Sequence, residues 1–167
     1  PYNEIKQENY LQAMEQADSY RNTSMLLDYT WEFAGPTNIG GRITDIESHP
    51  NSPETIYLGA STGGVWKSTD NGLSWNYKFE GVSLISIGDI AIDPNNENII
   101  YVGTGEANSS SFSFIGNGMY KSTDAGETWE HLGLELSAYF GRVIVDYNNS
   151  DRIFAAVCGN IFTQSDE

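Results

Sequence analysis

The chain has 167 residues, enough to bury one ordinary hydrophobic core, and its formal net charge is −15. An acidic surface of this strength repels phosphate backbones and anionic lipid headgroups, which argues against a nucleic-acid partner. The four Trp, ten Tyr and seven Phe indicate a folded chain despite the charge. No apolar run approaches the ~18 residues of a membrane span, so we expect none.

The sequence offers no cluster of metal ligands. Two histidines, His49 and His131, lie far apart, and Cys158 is the single cysteine. Because Cys158 ends the apolar run 153–158, we expect it to be a small buried side chain. We therefore expect no metal and no cofactor.

Residues 1–28 differ in pattern from the rest of the chain. Apolar residues recur at spacings of three and four within 4–22, with charged residues and Gln between them: Tyr10, Ala13, Met14, Ala17 and Tyr20. This spacing predicts an amphipathic helix. We expect a helical arm that packs on the following domain or on a partner.

Residues 29–167 read as short strands and turns in repeating units. The first strand of each unit is predicted at 42–48, 86–92 and 140–145, and the second at 55–60, 99–104 and 152–157. Third strands are predicted at 64–68 and 118–122, and fourth strands at 75–79 and 129–132. Four short antiparallel strands in roughly 40–50 residues predict one blade of an all-β propeller. A β-sandwich with internal duplication is the alternative.

The predicted blades cover about 40–80, 84–134 and 138–167, and the third stops after its second strand. Propellers close with roughly four or more blades. We therefore expect about two and a half blades, forming the N-terminal part of a larger propeller whose remaining blades are partners of this chain.

A nine-residue box, Lys-Ser-Thr-Asp-x-Gly-x-[Ser/Thr]-Trp, occurs at Lys67–Trp75 and at Lys121–Trp129. Its Asp accepts backbone N–H bonds, its Gly supplies a positive φ and its Trp covers the turn. One carboxylate in each box is too few for a calcium site. We expect these residues to be structural: Ser68, Asp70, Gly72, Trp75, Ser122, Asp124, Gly126 and Trp129.

The box matches the Asp-box, or BNR, repeat. Similar boxes occur in sialidases, sortilin-type receptors, xyloglucan-cleaving glycoside hydrolases and photosystem II assembly propellers, where they are structural. Residues 31–42 and 63–70 also resemble the opening of secreted Bacteroidota propeller proteins of the type IX secretion kind. This resemblance implies a secreted or cell-surface bacterial protein that is associated with the outer membrane.

Alternate hairpin loops of a blade lie on opposite faces, so the loops after each second and fourth strand share one face. On this face the segment 105–117 is about ten residues longer than its counterpart 61–63. Longer loops are where binding functions are commonly added. Our candidate binding residues are Arg42, Glu106, Asn108, Phe112, Phe114 and Arg142.

The residues argue against two familiar activities. Sialidases of this fold carry an Arg-Ile-Pro segment, which this chain lacks. Xyloglucan-cleaving relatives carry an Asp immediately before a Gly-Gly pair, where this chain has Thr62. Asp45, Asp89 and Glu106 remain as unpaired carboxylates, although a glycosidase needs two acting together. Glu106 is the weak catalytic candidate.

The leading hypothesis is a secreted or cell-surface propeller module that binds a protein or a glycan and is non-catalytic in this chain. The first alternative is a glycoside hydrolase of the Asp-box propeller type with catalytic carboxylates partly in other blades. The second alternative is a type IX secretion cargo.

Overall fold

A computed structural model describes residues 9, 11–16, 41–108 and 113–159. The chain divides into two compact units, Pro1–Ile39 and Gly40–Glu167. In the first unit, residues 11–16 are helical and fall within the predicted amphipathic segment. The remainder of that segment and the predicted boundary at residue 28 lie outside the described residues. None of the described helical residues belongs to a helix long and apolar enough to cross a membrane.

The second unit is built from antiparallel blades. The first blade has strand order β1-β2-β3-β4 and comprises β1 (Ile43–His49), β2 (Ser52–Ala60), β3 (Gly64–Ser68) and β4 (Asn76–Tyr77). The second blade has order β5-β6-β7-β8 and comprises β5 (Ile87–Asp93), β6 (Asn96–Thr104), β7 (Met119–Ser122) and β8 (Glu130–Gly133). A third sheet pairs β9 (Tyr139–Asp146) with β10 (Asn149–Cys158).

Each second strand begins three residues earlier than predicted. The first two strands of each blade are joined by only two residues, as the pair Asp93↔Asn96 illustrates. The first residue of each such turn caps it: Asp93 Oδ1 accepts the Asn95 N–H at 2.8 Å, and Asp146 Oδ1 accepts the Asn148 N–H at 2.9 Å. The sequence pattern overestimated the length of these turns, because the polar residues at the start of each second strand resemble turn residues.

Adjacent blades are joined by a carboxylate of one first strand and an amide of the next. Asp45 Oδ2 accepts the Ile90 N–H at 2.9 Å, and Asp89 Oδ2 accepts the Val143 N–H at 2.6 Å. The two aspartates occupy equivalent positions in β1 and β5. A repeated charge-assisted hydrogen bond therefore sets how one blade sits on the next.

A glycine faces each of these aspartates across the sheet: Gly59 pairs with Asp45, and Gly103 pairs with Asp89. A Cβ on Gly59 would lie 2.7 Å from Ile87 Cγ2, and a Cβ on Gly103 would overlap the Phe140 ring. Each glycine thus leaves space, here called a socket, for a large apolar side chain near the start of the next blade's first strand.

The hydrophobic core lies between blades. One cluster joins the first two blades and consists of Tyr57, Val65, Phe79, Ile87, Ile90, Ile100, Val102 and Tyr120. A second cluster joins the second and third blades and consists of Ala91, Tyr101, Met119, Phe140, Val143 and Val145. Since the surfaces by which neighbouring blades face each other are buried, the blades stabilise one another as stacked repeats do.

Arg142 occupies in β9 the position that the two aspartates hold in β1 and β5. Its Nη1 donates to Asp89 Oδ1 at 3.3 Å, and its Nη2 lies 3.8 Å from Glu47 Oε1. Burial raises the pKa of Asp89 to about 6, and the nearby Asp45 adds to the rise, while the Val143 N–H and Arg142 oppose it. Burial and Asp45 likewise raise the pKa of Glu47. The first strands of the three blades (β1, β5 and β9), termed the inner strands, therefore carry three carboxylates that repel one another, and Arg142 offsets part of this repulsion.

Replacing Gly103 with Ala tests the socket. The added methyl group meets the Phe140 ring, so we expect Gly103→Ala to lower the free energy of unfolding by about 1–3 kcal/mol in urea titrations. Gly41→Ala is the matched control because a Cβ there has nothing within 4 Å. If the Gly103→Ala and Gly41→Ala variants were equally stable, the claim that Phe140 needs the space left by Gly103 would be wrong.

Asp89→Asn tests the electrostatics of the inner strands. Because the pKa of Asp89 rises from 3.8 to about 6 on folding, the folded state holds this proton more tightly, and the associated stability is lost as pH rises from about 4 to 6. An Asn keeps an oxygen for the Val143 N–H and does not ionise. The free energy of unfolding of the Asp89→Asn variant should therefore increase relative to the wild type between pH 4 and pH 7. The exposed Asp151→Asn variant controls for the lost charge; a pH-independent difference at Asp89 would refute this assignment.

Candidate functional site

The Asp boxes form hydrogen-bonded turns between the third and fourth strands of the first two blades, on the face that also carries the two-residue turns between the first and second strands. In the first box, Asp70 Oδ1 accepts from Ser68 Oγ at 2.7 Å and from the Ser74 N–H at 2.8 Å, and Asp70 Oδ2 accepts from Ser74 Oγ at 2.6 Å. The second box repeats these contacts at the same distances with Ser122, Asp124 and Thr128. Both carboxylate oxygens of each box are therefore already engaged within the turn.

These hydrogen bonds also set the electrostatics of the boxes. They lower the pKa of Asp70 to about 2, with the Ser74 hydroxyl as the largest cause, and the Thr128 hydroxyl does the same for Asp124. The residues after each Asp adopt positive φ angles: 58° and 83° at Asn71 and Gly72 in the first box. A carboxyl group whose pKa lies so far below neutral pH stays ionised, and its hydrogen bonds hold the turn in one conformation.

The two box tryptophans make different contacts. Trp129 Nε1 donates to the Lys78 carbonyl oxygen of the preceding blade at 2.5 Å, and its ring packs edge-on against Phe79. Trp75 Nε1 donates to the Gly72 carbonyl oxygen of its own turn at 3.1 Å. The Trp of the second box therefore also joins two blades.

The opposite face carries an ion pair between blades. Glu106 is 1% exposed, and its Oε2 accepts from the Arg42 guanidinium and from Ser61 Oγ, the latter at 2.5 Å. Arg42 Nη2 also donates to Ser61 Oγ at 2.9 Å. The Arg42 side chain remains 46% exposed. Glu106 thus lies beneath this face and positions Arg42, which is the group that solvent reaches.

Glu106, the candidate on the long segment 105–117, is buried rather than open to a ligand. Residue 106 bridges to Phe140 of the third blade, and no described residue hydrogen-bonds to Glu106 Oε1. A carboxylate sealed in this way cannot reach a glycosidic bond. The weak catalytic role expected of Glu106 therefore has no support in its geometry.

The segment 105–117 is anchored at one end to the loop that enters its own blade and at the other end to the loop that enters the third blade. The Gly105 N–H donates to the Ser86 carbonyl oxygen, and the Gly116 N–H donates to that of Ala138, each at 2.8 Å. Ser86 Oγ in turn donates to the Phe114 carbonyl oxygen at 3.0 Å. The two ends of the segment are thus held in place, while Phe114 remains 55% exposed.

The predicted binding residues do not all lie in one environment. Asn108 and Phe114 are exposed on a loop of this face, as is Thr62, which was not among the predicted binding residues. Arg142 lies on the inner strand β9, engaged by Asp89 and Glu47. Phe112 lies outside the described residues. Sequence reasoning missed Ser61, whose hydroxyl links Arg42 to Glu106 and which no motif marks.

Within 41–108 and 113–159, no group of three or more His, Cys, Asp or Glu side chains is placed to hold a metal ion. Cys158, expected to be buried, is exposed at the end of β10. That expectation was wrong because burial of an apolar strand in this fold requires a neighbouring blade against it.

Curated relatives of this chain include two xyloglucanases. Xgh74A of Acetivibrio thermocellus is 32% identical over 106 residues, covering 54% of this chain and 12% of the relative. A probable oligoxyloglucan-reducing end-specific xyloglucanase of Neosartorya fischeri is 30% identical over 88 residues, covering 50% and 10%. The chain thus spans about a tenth of the length of these relatives. Vacuolar protein sorting/targeting protein 10 of Debaryomyces hansenii is 35% identical over 79 residues, covering 45% and 4%.

Solved structures agree with the fold. An ancestral GH74 enzyme aligns with a TM-score of 0.58 and 25% identity over 71% of this chain and 14% of that enzyme. The GH74 enzyme of Niastella koreensis aligns with a TM-score of 0.54 and 27% identity over 67% and 16%. No family model matches the sequence. These similarities confirm the predicted all-β propeller fragment, while the Asp-box family and the type IX resemblance stay predictions.

Proposed function

We propose that this chain contributes to a glycan-binding face of a secreted β-propeller, and that its described residues bind without catalysing cleavage. The observation that carries this proposal is that the candidate carboxylates of the described region already have structural partners. Asp45 and Asp89 accept backbone amides of the next blade, and Glu106 is buried with Arg42. A glycosidase needs two carboxyl groups that both reach the scissile bond.

Thr62 supports the non-catalytic part of the proposal. By the family resemblance, the residue before the Gly63-Gly64 pair is the Asp of xyloglucan-cleaving enzymes, and here it is an exposed Thr. A hydroxyl at this position offers a hydrogen bond to a sugar and cannot serve as an acid or base near neutral pH.

The electrostatics favour a neutral ligand. Glu106 neutralises Arg42, the inner strands add further carboxylates, and the whole chain carries a net charge of −15. Binding an acidic saccharide would add charge to an acidic surface. The remaining N–H groups of Arg42 instead suit the hydroxyl oxygens of a neutral polysaccharide.

Phe114 supplies the apolar contact that such a ligand needs. Its exposed ring lies on a loop whose backbone is held by Ser86, so the ring is presented without much loss of conformational freedom on binding. The exposed amide of Asn108 lies in the same segment. An aromatic surface with a few polar groups is typical of sites that bind partly apolar ligands. The names of the two relatives make xyloglucan the first ligand to test.

Each of the alternative functions has its own, separate support. The names of the relatives favour a glycoside hydrolase whose catalytic carboxylates belong to other parts of the protein. The similarity to a protein-sorting factor favours a protein ligand. Attachment to the outer membrane and export as a type IX cargo rest on sequence resemblance alone.

Phe114→Ala tests the binding face. We expect the dissociation constant for xyloglucan, measured by affinity electrophoresis or calorimetry, to rise roughly tenfold because an aromatic contact is lost. Leu73→Ala is the control, since Leu73 is 88% exposed but belongs to the Asp box on the other face. An acidic oligogalacturonide should bind more weakly than xyloglucan to the wild type.

Two results would contradict this proposal. Unchanged xyloglucan affinity in the Phe114→Ala variant would remove the binding face from this loop. Release of new reducing ends from xyloglucan, abolished by Asp45→Asn or Asp89→Asn in a variant that still binds, would show that these carboxylates are catalytic.

A further inference from the structure

A second loop contacts the segment 105–117 on the face that carries it. Residues 134–138, here called the leucine loop, connect β8 to β9. The Gly116 N–H donates to the Ala138 carbonyl oxygen at 2.8 Å, which ties the segment to the end of this loop. The leucine loop therefore continues the surface on which Phe114 is exposed.

The leucine loop turns tightly at its first residue. Leu134 has a φ angle of 66°, in the left-handed region that favours Gly, and its carbonyl oxygen accepts the Ser137 N–H at 2.8 Å. Burial of the Leu134 side chain offsets only part of the cost of this conformation, because the residue is 47% exposed. Leu136 is 91% exposed. The loop thus presents two aliphatic side chains that the stability of the fold does not require, and strained residues of this kind are characteristic of functional sites.

We propose that Leu134 and Leu136 form an aliphatic subsite next to the Phe114 segment, and that this subsite binds an acetyl group on a neutral polysaccharide. This inference rests on the proposed glycan-binding function and adds the substituent that the site recognises. Leucine offers no hydrogen bond, so a sugar hydroxyl placed against it loses water without a replacement partner. A methyl group in the same place gains free energy because apolar surface leaves water.

The charge around the loop favours an acetyl group over an acidic substituent. Glu135 lies between the two leucines with a side chain that is 61% exposed, and the whole chain carries a net charge of −15. A carboxylate or sulfate group on the ligand would be repelled here, whereas an acetyl group is uncharged. An acetyl group occurs on saccharides as an ester of a hydroxyl or as the acetamido group of an amino sugar, and the methyl group is common to both.

Calorimetry with two matched pairs of oligosaccharides tests the subsite in the full-length protein. The first pair is O-acetylated xyloglucan oligosaccharides and the same preparation after mild alkali has removed the esters. The second pair is chitohexaose and cellohexaose, which differ by the acetamido groups. We expect the acetylated member of a pair to bind with a dissociation constant about fourfold lower, the gain from burying one methyl group. A preference within the first pair assigns the ester, and a preference within the second assigns the acetamido group.

Substitutions at residue 134 separate recognition from stability. Leu134→Ala keeps the unfavourable φ angle and Leu134→Gly relieves it, so we expect the Gly variant to unfold at the higher urea concentration of the two. Both variants lack the aliphatic side chain, and both should lose the preference for the acetylated saccharide. Leu73→Ala should retain the preference, because it removes an exposed leucine from the Asp box on the other face.

The possible failures of the two proposals are distinguishable. If the unacetylated saccharides bind and the acetylated members bind no better, this inference is wrong and the proposed function stands. If none of these saccharides binds, both are wrong. A preference that is lost in Leu134→Ala but retained in Leu134→Gly would follow stability rather than the leucine side chain, and would also overturn the inference.

Discussion

The contact on which the rest of this structure depends is the hydrogen bond from a backbone amide of one blade to an inner-strand aspartate of the blade before it. Two successive aspartates, Asp45 and Asp89, make it, and a glycine opposite each one admits the first apolar side chain of the next blade. A buried carboxylate is costly unless it is hydrogen-bonded. The geometry is therefore specific, because a blade that slips by one residue loses both the amide and the socket. The contacts of Glu106 depend on the same packing, since Ser61 belongs to the first blade, Glu106 follows β6 of the second, and Phe140, to which Glu106 bridges, is the second residue of β9 in the third.

The parts of the fold that the sequence predicted are those with local causes. Turn chemistry placed both Asp boxes, and alternating β-branched and aromatic residues placed the strands. The parts that it did not predict depend on contacts between blades. Glu106 stands in a segment that resembles an exposed loop, yet contacts 64 residues away in sequence bury it. Cys158 stands in an apolar strand, yet it is exposed because nothing described here covers that side of β10. A signal for the blade contacts was present in the Asp and Gly that recur together in β1–β2 and β5–β6, but only the structure shows what they do.

The same contacts explain why similarity to xyloglucanases does not by itself assign an activity to this chain. The carboxylates that a glycosidase would use are, in the described blades, part of the packing between blades or buried under Arg42. Among the described residues of the loop face, an aromatic ring, an amide, a hydroxyl and a neutralised guanidinium are accessible, a set that suits hydrogen bonding and stacking with neutral sugars. Under the proposed function, binding belongs to the loops, whereas cleavage would require carboxylates that are free.

Amide hydrogen exchange, read residue by residue by NMR, tests the central contact most directly. If each aspartate holds one amide of the next blade, Asp45→Ala should speed exchange at the Ile90 N–H by roughly tenfold or more and leave the Val143 N–H nearly unchanged, and Asp89→Ala should do the reverse. Exchange at both amides that is unaffected by either substitution, or that rises equally with both, would contradict the account.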